Sequence, residues 1–148
     1  MINTEMTQRA KRLMLEKHKN QLDKAGEPYC NHPIHVAEQM EDEVTTVVAL
    51  LHDIVEDSDI AFEDLERMHF PEDVIEALRY LTHRPDIDYF DYIEKIGENE
   101  IARKVKIKDL EHNMDLMRLK TITEKDLRRY EKYKRSRDYL LSLEGGQL

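Results

Sequence analysis

Four glycines and four prolines in 148 residues leave little material for the tight turns that an all-β chain needs between strands. The one cysteine, Cys30, excludes an internal disulfide framework and a cysteine-based zinc site, and it fits a reducing cytoplasm. No apolar stretch approaches the roughly 20 residues of a membrane span. The N-terminal segment, with Glu5, Arg9, Lys11 and Arg12, lacks the apolar core of a signal peptide. Positive charge is also short. A formal net charge of −9 argues against general nucleic-acid binding. It still allows a phosphorylated small molecule, because a local cationic pocket or a metal decides that case.

What is present favours helices. Hydrophobic residues make up 40% of the chain, enough for a core, and Leu, Glu, Lys, Arg and Met are plentiful. The length suits one domain over 1–148, with residues 144–148 as a loose tail. An amphipathic helix is expected from Thr4 to Gln21, with Met6, Ala10, Leu13 and Met14 on one face. A turn follows at Asp23–Pro28. Asn31-His32-Pro33 then opens a helix to about Asp42, with His32 at its stiff start. A third helix is read from Glu43 to about Glu56, a short one at Phe62–Leu65, and another from Val74 to Leu81. Asp88 should cap Tyr89–Ile96, a long helix runs from about Asn99 to Leu119, and Thr123 with Asp126 forms a capping box for the last helix. The expectation is an all-α fold of seven to eight helices with no strand.

The most telling stretch is His52-Asp53-Ile54-Val55-Glu56-Asp57, four polar groups at the end of the apolar run Val44–Leu51. So apolar a run is buried, and its polar end enters the interior with it. Buried imidazole and carboxylate groups need partners, and a divalent metal satisfies several at once. On a continuous helix His52, Asp53, Glu56 and Asp57 occupy adjoining strips of one surface. Two ligands from one helix are not enough, so the rest must come from elsewhere. His32 and Asp109 are the candidates, Asp109 lying one turn before Asn113. His32, His52, Asp53 and Asp109 form a set of two nitrogen and two oxygen ligands suited to Mn²⁺, Fe²⁺, Co²⁺ or Zn²⁺. Such an ion lowers the pKa of a bound water and polarises a phosphate. Glu56 and Asp57, one turn on, are placed to move the proton.

The ordered set of motifs resembles the HD-domain metal phosphohydrolases, in particular the hydrolase domain of the RelA/SpoT type and its small stand-alone relatives. The likeness runs from His18 to about Tyr133. It rests on His18-Lys19-Asn20-Gln21, Gly26-Glu27-Pro28-Tyr29, His32-Pro33 with Val36-Ala37, Leu50-Leu51-His52-Asp53 with Val55-Glu56-Asp57, and Lys106-Ile107-Lys108-Asp109 with His112-Asn113. It implies a cytoplasmic hydrolase of nucleotides such as guanosine 3′-pyrophosphate alarmones. The metal would most often be Mn²⁺, held by His32, His52, Asp53 and Asp109, with Glu56 and Asp57 as the catalytic pair. Asn113 would contact substrate or water, and Lys24, Arg129 and Tyr133 would bind the nucleotide. A synthetase domain does not fit in this length.

The chain departs from the family at Asp23, where relatives carry a cation, and at Lys108 and Asp115. These changes surround the substrate and spare the metal and acid/base set. They motivate a second expectation, a nucleotide-sensing module with weak turnover. His35 reads as a neighbour of the ligands or a surface residue, and His18 as structural or near the pocket. Cys30 reads as a small buried residue, and Arg84 as a capping or solvent group. His112 lies on a different helix strip from Asn113 and is not expected in the site.

Overall fold

In the computed structural model, which describes residues 1–23, 25–117 and 123–145, the chain is all-α. The order is α1 (Glu5–His18), α2 (Asn31–Glu38), α3 (Glu43–Leu51), α4 (Ile54–Asp57), α5 (Phe62–Arg67), α6 (Glu72–Leu81), α7 (Tyr89–Ile96), α8 (Glu100–Met117) and α9 (Glu124–Gly145). No strand occurs among the described residues beyond an isolated bridge between Leu22 and Pro28. No helix there is long and apolar enough to cross a membrane.

The helix starts follow local chemistry. Thr4 caps α1 by accepting from the Thr7 N–H at 3.2 Å, and Asp42 caps α3 by accepting from the Thr45 N–H at 2.8 Å. Asp88 does the same for Phe90 at 3.0 Å. Thr123 and Asp126 exchange the two bonds of the expected capping box, at 3.1 and 3.2 Å. Each such cap contributes about 1 kcal/mol.

The core centres on α3. Val47 to Leu51 are all fully buried, because this helix touches α1, α2, α6 and α8 at once. Enclosure on all sides explains why its sequence shows no polar face. Burying each large aliphatic side chain contributes about 1.5–3 kcal/mol, so α3 is the post on which the other elements hang. Outside it, α9 lies along α8 and reaches α7.

One expectation needs correction. The helix read as continuous from Glu43 to Glu56 is two, α3 and the single turn α4. His52 Nδ1 donates to the Ala49 carbonyl at 2.6 Å, the acceptor that an uninterrupted helix offers to the Asp53 N–H. Asp53 then sits at φ −107°, ψ 3°, a sparsely populated region common in active sites, and starts the α4 turn by accepting from the Asp57 N–H at 3.0 Å. The second helix also stops at Glu38, short of Asp42, because Asp42 turns outward to cap α3.

Candidate metal and substrate site

Three elements bring three buried side chains to one point. The first turn of α2 carries His32, the end of α3 carries His52, and the middle of α8 carries Asp109, at 6%, 4% and 4% exposure. His32 Nε2 lies 2.7 Å from Asp109 Oδ1, and His52 Nε2 lies 3.4 Å from the same oxygen. One ligand atom from each residue falls within 4.8 Å of the other two. Asp53 stands at the edge, with its Oδ2 at 3.2 Å from His52 Nε2 and its side chain 26% exposed.

The donor set fits a cation on its own terms. The Ala49 carbonyl can only accept, so the His52 Nδ1 must carry the ring hydrogen. In the neutral ring Nε2 is then a bare lone pair. It is buried, has no hydrogen-bond partner, and faces the oxygens of two carboxylates. Lone pairs of His52, Asp53 and Asp109 converge there with only the Lys106 ammonium beside them, an arrangement that a divalent cation would satisfy. The cluster can therefore hold a divalent metal.

The carboxylates are pushed in opposite directions. Burial would raise the Asp109 carboxyl, but the Lys106 ammonium and the hydrogen bond from His32 hold it well below the usual range. Asp53 moves well above that range, from burial first and the nearby Asp109 charge second, and its Oδ2 accepts from the Tyr29 hydroxyl. Burial likewise lowers the His32 imidazole, which keeps it neutral as a metal ligand requires.

Two residues that the sequence reading did not assign complete this shell. Lys106 Nζ donates to Asp109 Oδ2 at 2.9 Å, leaving Oδ1 for the histidines. His112, read as lying off the site, presents its Nδ1 at 2.7 Å from His32 Nδ1, the two rings lying edge to edge with planes 6° apart. The signal for both was their spacing of three from Asp109 on one helix. Asn113, one turn after Asp109, donates to its Oδ1 at 3.2 Å.

Glu56 and Asp57 are exposed on α4 rather than on the adjoining strips of one long helix. Glu56 accepts from the His83 backbone N–H, and the Asp57 carbonyl accepts from Gln21 Nε2 at 3.0 Å. These bonds tie the turn to the segment after α6 and to the end of α1.

Beside the cluster opens a cavity of about 310 Å³ lined by Tyr29, Asn113, Arg129 and Tyr133, with Leu22, Asp23, Ala25, Leu116, Met117 and Asp126. Tyr29 and Asn113 belong to both places, since one binds Asp53 and the other Asp109. The turn that delivers Tyr29 passes through Gly26, whose φ of 81° favours glycine. Asp23 lies on this wall, with Oδ1 accepting from the N–H groups of Ala25 and Glu27 at 2.8 and 3.0 Å. Lys24 falls outside the described residues.

The remaining candidates sort easily. His35 is exposed and stacks on His112 at 3.9 Å, while His18 is fully buried with Nδ1 at 3.0 Å from Gln21 Oε1. Cys30 is half-buried, Arg84 is exposed beside Asp86, and Asp115 points outward from α8.

No family model matches the chain. It is 37% identical over 91 residues to a guanosine-3′,5′-bis(diphosphate) 3′-pyrophosphohydrolase of Aquifex aeolicus, covering 59% of this chain and 13% of that protein. It is 54% identical over 59 residues to the zebrafish (Danio rerio) guanosine-3′,5′-bis(diphosphate) 3′-pyrophosphohydrolase MESH1, covering 34% of this chain and 33% of that one. The chain thus spans a third or less of these relatives. A solved structure described as a metazoan ortholog of SpoT that hydrolyzes ppGpp superposes with a TM-score of 0.79 at 26% identity, over 95% of this chain and 88% of that one. The resemblance read from the motifs is therefore a relationship, and the fold is the all-helical HD type.

Proposed function

We propose that this relative of the (p)ppGpp 3′-pyrophosphohydrolases is itself a metal-dependent hydrolase of a 3′-pyrophosphorylated nucleotide of the guanosine alarmone type. The observation that carries the reading is the unpartnered His52 Nε2 facing two carboxylates beside a cavity of about 310 Å³. The names of the relatives supply the substrate class.

His32, His52 and Asp109 would hold the ion, with Asp53 closing the set once it gives up the Tyr29 bond. Mn²⁺ is the first choice, with Fe²⁺, Co²⁺ and Zn²⁺ as alternatives for a mixed nitrogen and oxygen site. A bound ion of this kind supplies Lewis acidity toward the phosphate and a more acidic water. Glu56 and Asp57, exposed at the rim, are placed to take the proton of the attacking water and return one to the leaving oxygen. Water then breaks the bond between the 3′ oxygen and its diphosphate, giving a free 3′ hydroxyl and pyrophosphate. Arg129 offers a cation to phosphate, and Tyr133 and Tyr29 offer ring faces to the base. Asn113 steadies Asp109 from the cavity side. Lys24, next to Asp23, would add a second cation. The setting would be the cytoplasm.

Asp23 favours one rival, a nucleotide-sensing module that binds and turns over weakly. It places an anion on the cavity wall. Single-turnover assays with Mn²⁺ over guanosine 3′-pyrophosphates, NADPH and ordinary nucleoside phosphates separate the two. Pyrophosphate release from the first group supports the hydrolase, and tight binding without product supports the sensor.

A further inference from the structure

The bond between His112 and His32 constrains protons in a way that bears on metal binding. Two imidazole Nδ1 atoms 2.7 Å apart can share only one hydrogen, since two would collide and none would leave opposed lone pairs. His32 can offer its Nε2 lone pair to an ion only if its own ring hydrogen is on Nδ1. His112 must then accept through a bare Nδ1 and keep its hydrogen on Nε2. Resting on the metal-site reading above, we propose that His112 is a positioning residue of the metal centre, fixing the orientation of His32 and accepting its Nδ1 hydrogen in the metal-binding tautomer.

Ring geometry supports this. The His32 and His112 planes are 6° apart, and His35 stacks on the outer face of His112 at 16°. With their Nδ1 atoms 2.7 Å apart and centroids 4.9 Å apart, the His32 and His112 rings lie edge to edge in nearly one plane, the alignment that an N–H···N bond between them requires. Metal ligands of the imidazole type almost always donate their other N–H to such a partner, and losing the partner typically weakens metal binding by about 10–100-fold. Before loading, the ionised Asp109 Oδ1 takes the His32 Nε2–H, and His112 Nδ1–H fills the bond to His32. Loading therefore moves one hydrogen off His32 Nε2, shifts one from His112 to His32, and adds one at His112 Nε2. The pair keeps the same number of protons throughout.

Calorimetric titration of the intact chain with Mn²⁺, without nucleotide, tests the proposal. His112→Ala should weaken binding by about 10–100-fold. His112→Asn should recover most of it, because the Asn Oδ1 stands where the imidazole Nδ1 stood. His35→Ala removes the stack but not the bond and should bind as the wild type does. Imidazole ¹⁵N spectra of the Zn²⁺-loaded wild type should show His32 with hydrogen on Nδ1 and His112 with hydrogen on Nε2. Full affinity in His112→Ala, no recovery in His112→Asn, an equal loss in His35→Ala or the opposite tautomers overturn it. A wild-type chain that takes up no Mn²⁺ removes the centre itself, and the role of His112 with it. Failure of nucleotide hydrolysis alone would bear on the substrate reading and leave this result standing.

Discussion

The His32, His52 and Asp109 cluster and the neighbouring cavity adjoin but are built to different standards. His32, His52 and Asp109 are buried, and hydrogen bonds hold each ring or carboxylate in place. Asp109 alone receives Lys106, His32 and Asn113 and faces His52. The cavity walls are half-buried, come from the Asp23–Tyr29 turn, α8 and α9, and owe less to one another. On the proposed reading, the chemistry would sit where packing over-determines it, and choice of substrate where a residue can change without unfolding the protein. The departure at Asp23 falls on the second side of that line, whereas Asp115 points outward from α8 and lines neither region.

Breaking the cluster should have the largest effect. His52→Ala or Asp109→Ala removes a ligand and with it the several kcal/mol that an ion contributes to the reaction, so kcat/KM should fall by about 10³-fold or more. Steady-state pyrophosphate release measures it, and full activity in both variants would break the assignment. Lys106→Met leaves Asp109 buried without its cation. Denaturant titration should show a loss of about 3–5 kcal/mol without metal, the usual cost of breaking a buried pair. Added Mn²⁺ should restore part of it, because the ion replaces the lost charge.

Changes on the cavity side should be milder and should split differently. Arg129→Ala should raise KM by about 10-fold while metal affinity stays at the wild-type value, a loss of roughly 1.4 kcal/mol of binding. Equal loss of metal affinity would erase the distinction between the two regions. Asp23→Asn should change the ranking of nucleotides by only a few fold and leave stability nearly unaltered, since the Asn oxygen still accepts from Ala25 and Glu27.

The smallest effect is a pH dependence. Burial, then the neighbouring His32 and His35, lowers the His112 imidazole to about 4 against an ordinary 6.5. A depressed pKa means that the unfolded chain takes up the proton first. The resulting stability is whole above 6.5 and is lost as pH falls toward 4. The metal-free wild type should therefore lose more Tm between pH 7 and pH 4 than His112→Asn does. Parallel curves for the two would contradict that origin.

Much of this was legible before any coordinates. Asp88, Thr123 and Asp126 announce helix starts through short-range bonds that a sequence displays directly. His32, His52 and Asp109 were readable as a set because a buried imidazole or carboxylate is costly unless something satisfies it. The break at His52–Asp53 was hidden, since the apolar run to Leu51 continues smoothly into Ile54 and Val55. A side chain taking the Ala49 carbonyl leaves no trace in periodicity. His112 was misjudged for a related reason. A helical wheel of α8 ranks strips within α8, whereas the contact depends on where α2 crosses it.

The central claim is that the buried cluster binds one divalent cation, and anomalous diffraction from Mn²⁺-soaked crystals tests it most directly. The account predicts one strong peak within roughly 2.0–2.3 Å of His32 Nε2, His52 Nε2 and Asp109 Oδ1, a usual range for nitrogen and oxygen ligands. A map with no peak there, or with its only peak among surface carboxylates, would contradict it.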